Sequence, residues 1–228
     1  MQAQKPRKQP QRPLGPIRRP QILTAAIELL REQGLWSVRV SDVARRARTS
    51  PGTVIYYFGT KHQLFHQAIA AADADFYASL WPELDEIESG TARLARLIHR
   101  SSTSDWVLWV DLWAYARRHA DMLEASIDFH RRWCGTIADV IRHGQLRGEF
   151  SARDAKAIAV RFAALSNGLA IRMVLDDCPA PRTQYLAMSV EAAALELDCD
   201  ADELRRELAA VPVEAKTEQA DRETEEAA

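Results

Sequence analysis

The chain has 228 residues, 47% of them apolar and 27% charged, an ordinary globular balance with enough length for one or two cored domains. Its 30 Lys and Arg nearly match 32 Asp and Glu, and a net charge of −2 taken alone argues against a nucleic-acid binder. The total hides a split: residues 1–61 carry twelve basic residues against three acids, net +9, so the remainder carries −11.

Residues 1–17, with four prolines and four basic residues, read as a disordered basic arm. From Arg18 a helical period appears in Ile22, Ala25, Ala26, Leu29 and Leu30, and Gly34 is a natural stop. Ser41–Ala47 forms a short helix, residues 48–50 a turn, and Pro51–Tyr57 a second short helix with Ser50 as its N-cap. Thr60 caps a long fourth helix from Lys61 to about Leu80. Beyond Pro82, helical segments fall near 91–103, 104–118, 121–145, 153–177, 182–197 and 201–210. No stretch alternates like a strand. The expected fold is all-α: a basic arm over 1–17, a helix-turn-helix head over 18–62, a helical body over 63–210 and an acidic, disordered tail over 211–228. Cys134, Cys178 and Cys199 form neither a disulfide framework nor a C-x-x-C pattern, no apolar run reaches the ~18 residues of a membrane span, and no signal core follows the N-terminus. A cytoplasmic protein without a membrane partner is expected.

Two short helices joined by a tight turn form a helix-turn-helix, whose second helix enters the major groove. Its start here offers Ser50, Pro51, Gly52 and Thr53, with free N–H groups that donate to phosphate. Tyr56 and Tyr57 add hydroxyls, Arg48 and Lys61 add charge, and Arg39 or Ser41 can clamp a phosphate from the first short helix. The run Arg48-Thr-Ser-Pro-Gly-Thr-Val-Ile-Tyr-Tyr-Phe-Gly-Thr-Lys61, preceded by Val40-Ser-Asp-Val-Ala44, resembles the DNA-binding signature of TetR-type transcriptional regulators. Arg48 stands in place of the usual turn glycine, Arg39 in place of a capping Thr or Ser, and Ile55 in place of an aromatic.

In the body, Trp106, Trp109 and Trp113 recur at i, i+3, i+7 and share one helix face, with Trp133 and Phe129 on the next long helix. They are either ordinary core or the wall of a cavity between helices. Asp105, four residues before Trp109, is on the stripe's side, and Asp111 is roughly opposite it. TetR-type bodies bind a small effector. This body looks most like the choline-responsive BetI branch, through Trp109-x-x-x-Trp113, Gly148-Glu-Phe150 and Asn167-Gly-Leu169. The effector residues expected on that basis are Trp106, Trp109, Trp113, Phe129, Trp133, Phe162, Asn167 and Met173, around a small molecule such as a cationic amine. The resemblance also implies a homodimer through the helices near 153–177 and 182–197. The apolar stripes of those helices are Ile158, Phe162, Leu165, Leu169 and Met173, and Leu186, Val190, Ala193 and Leu197.

The function expected is a repressor that binds a near-palindromic double-stranded DNA operator and is released by its effector. The alternative is a helical ligand- or partner-binding protein without specific DNA binding. An enzyme is not expected: His62/His66 and His130/Cys134 have helical i, i+4 spacing but lack the rest of a metal motif, so neither catalytic residues, cofactor nor metal is assigned.

Overall fold

The computed structural model describes residues 18–175 and 181–212. The expectations for the arm, for Cys178 and for nearly all of the tail lie outside those residues. The described residues form ten helices and no strand: α1 (Arg18–Ser37), α2 (Val40–Arg46), α3 (Pro51–Phe58), α4 (Lys61–Asp85), α5 (Gly90–Ser102), α6 (Trp106–Ala116), α7 (Ala120–Leu146), α8 (Ala155–Leu175), α9 (Pro181–Leu197) and α10 (Ala201–Ala210).

The local signals act as their chemistry requires. Ser50 Oγ accepts from the Thr53 N–H at 3.1 Å and starts α3, with Pro51 in the first turn. Thr60 and Gln63 cap α4 reciprocally, each side chain accepting from the other's backbone N–H at 3.1 Å. Arg39 has no oxygen to offer at the N-cap of α2. Only the return half of a capping box forms there, with the Asp42 carboxylate accepting from the Arg39 N–H at 3.0 Å. In α1 the regular helix ends at Gly34, whose φ of 74° and ψ of 162° kink the chain.

Three points differ from the sequence reading. α4 does not stop near Leu80 but runs through Pro82 to Asp85, because Leu80 and Leu84, both fully buried, anchor the chain on either side of an exposed proline. α8 is long and apolar enough by composition to cross a membrane, although no unbroken apolar run marked it. It carries Lys156, Arg161 and Arg172 and buries one face against α7 and α9. The two stripes assigned to a dimer face instead pack mostly inside the chain: Ile158, Phe162, Leu169, Val190, Ala193 and Leu197 are all buried. The outward apolar positions are a different set, Val160, Ala164, Gly168, Ile171 and Leu175 on one face of α8, with Ala187, Met188 and Leu195 on α9.

Two large cores and a smaller cluster hold the described residues together. One joins Ile22, Leu29 and Leu30 of α1 to Val43, Val54, Phe58, Leu64 and Phe65, and extends to Leu108, Leu112 and Tyr115 of α6. The other fills the body among α4, α5, α7, α8, α9 and α10. Each fully buried large side chain in these clusters contributes about 1.5–3 kcal/mol. α6 is therefore shared: its Leu108–Leu112 face belongs to the head core, and Trp106 packs with Leu169, Ala170 and Tyr185 of the body.

Candidate DNA-binding head and effector cavity

On α3 the buried residues are Val54 and Phe58, so the helix turns the opposite side outward. That side carries Gly52 and Tyr56, with Thr53 and Ile55 at its margins; Tyr56 is 80% exposed and Ile55 43%. Thr53 is half-buried, its hydroxyl 2.9 Å from that of Ser50. Tyr57 is half-buried against the head core and meets Tyr56 edge-on at 5.4 Å. Ser41, Arg48, Ser50 and Pro51 are exposed nearby. Arg48 has φ 51°, a left-handed conformation that costs a side chain about 1–2 kcal/mol and would cost glycine nothing. Lys61 lies 5.0 Å from the Phe65 ring centre. Burial lowers its pKa, and the nearby Arg39 charge lowers it further, so these two cations face one corner.

The charge of +9 overstates what the head can offer a polyanion. Arg46 is held by Glu28 and Glu32, Arg45 by Asp42, and Arg31 by Asp105, while Arg19 binds Gln67 and stacks on Phe58. Among the described residues of the head, Arg39, Arg48 and Lys61 make no side-chain ion pair.

The Trp stripe lines a cavity of about 1090 Å³. Trp106, Trp109, Trp113, Phe129, Trp133, Asn167 and Met173 are all in its wall. Phe162 is not: it is buried in the body core with Ile158 and Leu197. It shares a helix face with Met173, but the α8 residues in the wall are Asn167 and Met173, and Phe162 stands about 7.5 Å before Asn167 along the helix. Asp111 also points elsewhere, accepting from the Leu35 N–H at 3.3 Å.

The cavity contains groups the spacing did not reveal. Asp73, Phe76 and Tyr77 enter from α4, and Leu23, Ile27 and Arg31 from α1, so the first helix of the head forms part of the wall. Asp73 is only 4% exposed and accepts from Arg132 at 2.8 Å. Burial raises its pKa, and the Arg132 charge pulls the other way. Phe76 and Trp133 meet edge-on at 6.2 Å, as do Trp109 and Phe129 at 5.6 Å. The Trp133 indole N–H is buried without an acceptor among the described residues. The lone signal for Asp73 was an acid in an alanine-rich stretch (Ala68 to Ala74), which a solvent-facing position would equally explain. No group of three metal-ligating side chains occurs among the described residues. His62 meets His119 at a tilt with ring centres 4.2 Å apart, and His130 meets Cys134 Sγ at 3.5 Å.

The Gly148-Glu-Phe150 motif is structural. Phe150 lies over Gly144, and Gly144 meets Gly90 so closely that a side chain at either would collide with backbone or ring. Glu149 accepts from the Thr91 N–H at 2.8 Å and from Ser89 Oγ at 3.0 Å, and binds Arg147 at 2.9 Å. Burial alone would raise its carboxyl, but those donors, with the Gly90 N–H, hold it down at about 2.

A compact helix-turn-helix, with α1 walling an aromatic cavity in a helical body, defines the class of one-chain, ligand-linked DNA-binding regulators. Residues 22–68 match the family model of bacterial regulatory proteins of the tetR family, and residues 88–198 that of the BetI-type transcriptional repressor C-terminal domain. The BetI regulator of Rhizobium meliloti is 25% identical over 195 residues, covering 83% of this chain and 94% of its own; that of Agrobacterium fabrum is 27% identical over 172 residues, covering 73% and 81%. A transcriptional regulator from Saccharomonospora viridis, solved in complex with choline, superposes with a TM-score of 0.72 at 26% identity, covering 78% of this chain and 96% of that one. A TetR-family regulator from Rhodococcus superposes at 0.66 with 26% identity, covering 75% and 95%. The chain belongs to the TetR family, with a body of the BetI type. It is a DNA-binding transcriptional repressor and not an enzyme.

Proposed function

We propose that this repressor grips a near-palindromic operator in the bacterial cytoplasm as a homodimer and releases it when a compact cationic amine enters the cavity. Asp73 carries the effector class. A carboxylate 4% exposed stands in one wall with Phe76, Tyr77, Trp109, Phe129 and Trp133. Aromatic faces attract a cation, and the Asp73 carboxylate, already paired with Arg132, adds negative potential to that wall rather than a free counter-ion. The unaccepted Trp133 N–H suits an oxygen on the same molecule.

On the DNA side, Ser50, Pro51, Gly52 and Thr53 present the start of α3 to a phosphate, Arg39, Ser41, Arg48 and Lys61 flank it, and Tyr56 and Tyr57 reach the groove. Gly52 supports this placement: a side chain there would meet only ordinary contact at 3.7 Å, so nothing within the chain requires glycine. The outward stripes of α8 and α9 suit a two-fold contact with a second copy.

Tryptophan fluorescence tests the effector class with choline and 3,3-dimethylbutan-1-ol, its uncharged carbon isostere. Choline is expected to bind at least tenfold more tightly, and Asp73→Asn to remove that preference. Equal binding of the two compounds overturns the cationic reading.

A further inference from the structure

The cavity and the head meet at one ion pair. Asp105, at the N-cap of α6, binds the Arg31 guanidinium of α1, and both residues line the cavity. The Asp105 side chain makes no capping bond to its own helix, so its carboxylate is committed to the head. Asp105 and Trp109 share a face of α6 at i, i+4, and Trp106 is adjacent in sequence and also in the wall. A cation held at Asp105 would therefore stand beside indole faces. Just past the Gly34 kink, the Leu35 N–H donates to Asp111 at 3.3 Å, so α6 holds both the last regular turn of α1 and the segment that follows it. α1 carries Ile22, Leu29 and Leu30 of the head core, and what moves α1 moves the head.

We infer that Asp105 is an exchange site. The effector's ammonium group takes the carboxylate from Arg31, and loss of that tie frees α1 and the head from the spacing that fits DNA. The inference rests on the cationic reading of the cavity. The pair suits exchange because its side chains are 49% and 32% exposed: the released guanidinium returns to water at little cost, while the entering cation gains aromatic neighbours. Arg31 competes with the effector, so its removal must strengthen effector binding, a sign that a merely structural salt bridge would not give. Coupling between the two ligands passes through the same pair and must weaken with it.

The test titrates full-length wild type, Arg31→Ala and Asp105→Asn with choline, reading tryptophan fluorescence and the retention of operator DNA. Asn is itself a good N-cap, which keeps α6 intact. The expected result is two- to fivefold tighter choline binding for Arg31→Ala and at least fivefold weaker binding for Asp105→Asn. In both variants choline's effect on DNA retention shrinks. If choline binds wild type but Arg31→Ala binds it equally or more weakly, the exchange is overturned and the cationic cavity stands. If choline binds no better than its uncharged isostere to wild type, both readings fall.

Discussion

Single residues set what the two surfaces can recognise. Spacing alone placed Trp106, Trp109 and Trp113 together, because three side chains within two helical turns leave little freedom. It could not place Asp73, since helical period tells which face a residue shares and not which neighbouring helix covers that face. Phe162 failed for the complementary reason: its face was right and its height along α8 was wrong. Gly52 gives the sharpest residue-level expectation. Gly52→Ala should leave head stability unchanged or raise it by up to about 1 kcal/mol, because alanine favours helix and has room. Operator binding should fall at least tenfold, because on the proposed docking the added methyl stands where a phosphate approaches the backbone. Thermal melting and gel shift on the same sample separate the two effects, and unchanged DNA affinity would remove Gly52 from the interface.

At the scale of elements, caps and breakers were legible and partners were not. Ser50, Thr60 and Gly34 announced helix ends because their chemistry is local. The stripes of α8 and α9 were visible, but which stripe faces inward depends on α7 and α5, which the sequence of α8 does not mention. The Gly148-Glu-Phe150 segment is where α5 and α7 are locked, and its carboxylate has a pH signature. Glu149 has its folded pKa depressed to about 2 from 4.5, so its contribution is complete above the unfolded value and is lost as pH falls from about 4.5 toward 2. Glu149→Gln should lower stability near neutrality and flatten the acid limb between those pH values in denaturant titrations. A limb as steep as that of wild type would mean other carboxylates dominate.

The molecule as a whole joins two opposite surfaces through shared helices. Among the described residues, Arg39, Arg48 and Lys61 make no side-chain ion pair, whereas Arg19, Arg31, Arg45 and Arg46 serve internal contacts, so net charge predicts the polarity of the head better than the strength of the proposed grip on phosphate. The α1 helix belongs both to the head core and to the cavity wall, and α6 contributes to the head core and to the small cluster around Tyr185. That sharing was invisible in a reading that drew a boundary at residue 62, because it is a property of packing between segments some 80 residues apart in sequence. A ligand that prefers one arrangement of α1 on α6 shifts the population of heads able to span two grooves, and by no more than its difference in affinity for the two arrangements.

Anisotropy of a labelled near-palindromic operator fragment, identified by mapping bound genomic DNA, tests this coupling most directly. Titrated with the full-length protein, the site should take up two chains. Saturating choline should raise the dissociation constant at least fivefold, and 3,3-dimethylbutan-1-ol should leave it unchanged. Binding of a single chain would contradict the dimer, and an affinity indifferent to choline would contradict the link between cavity and head.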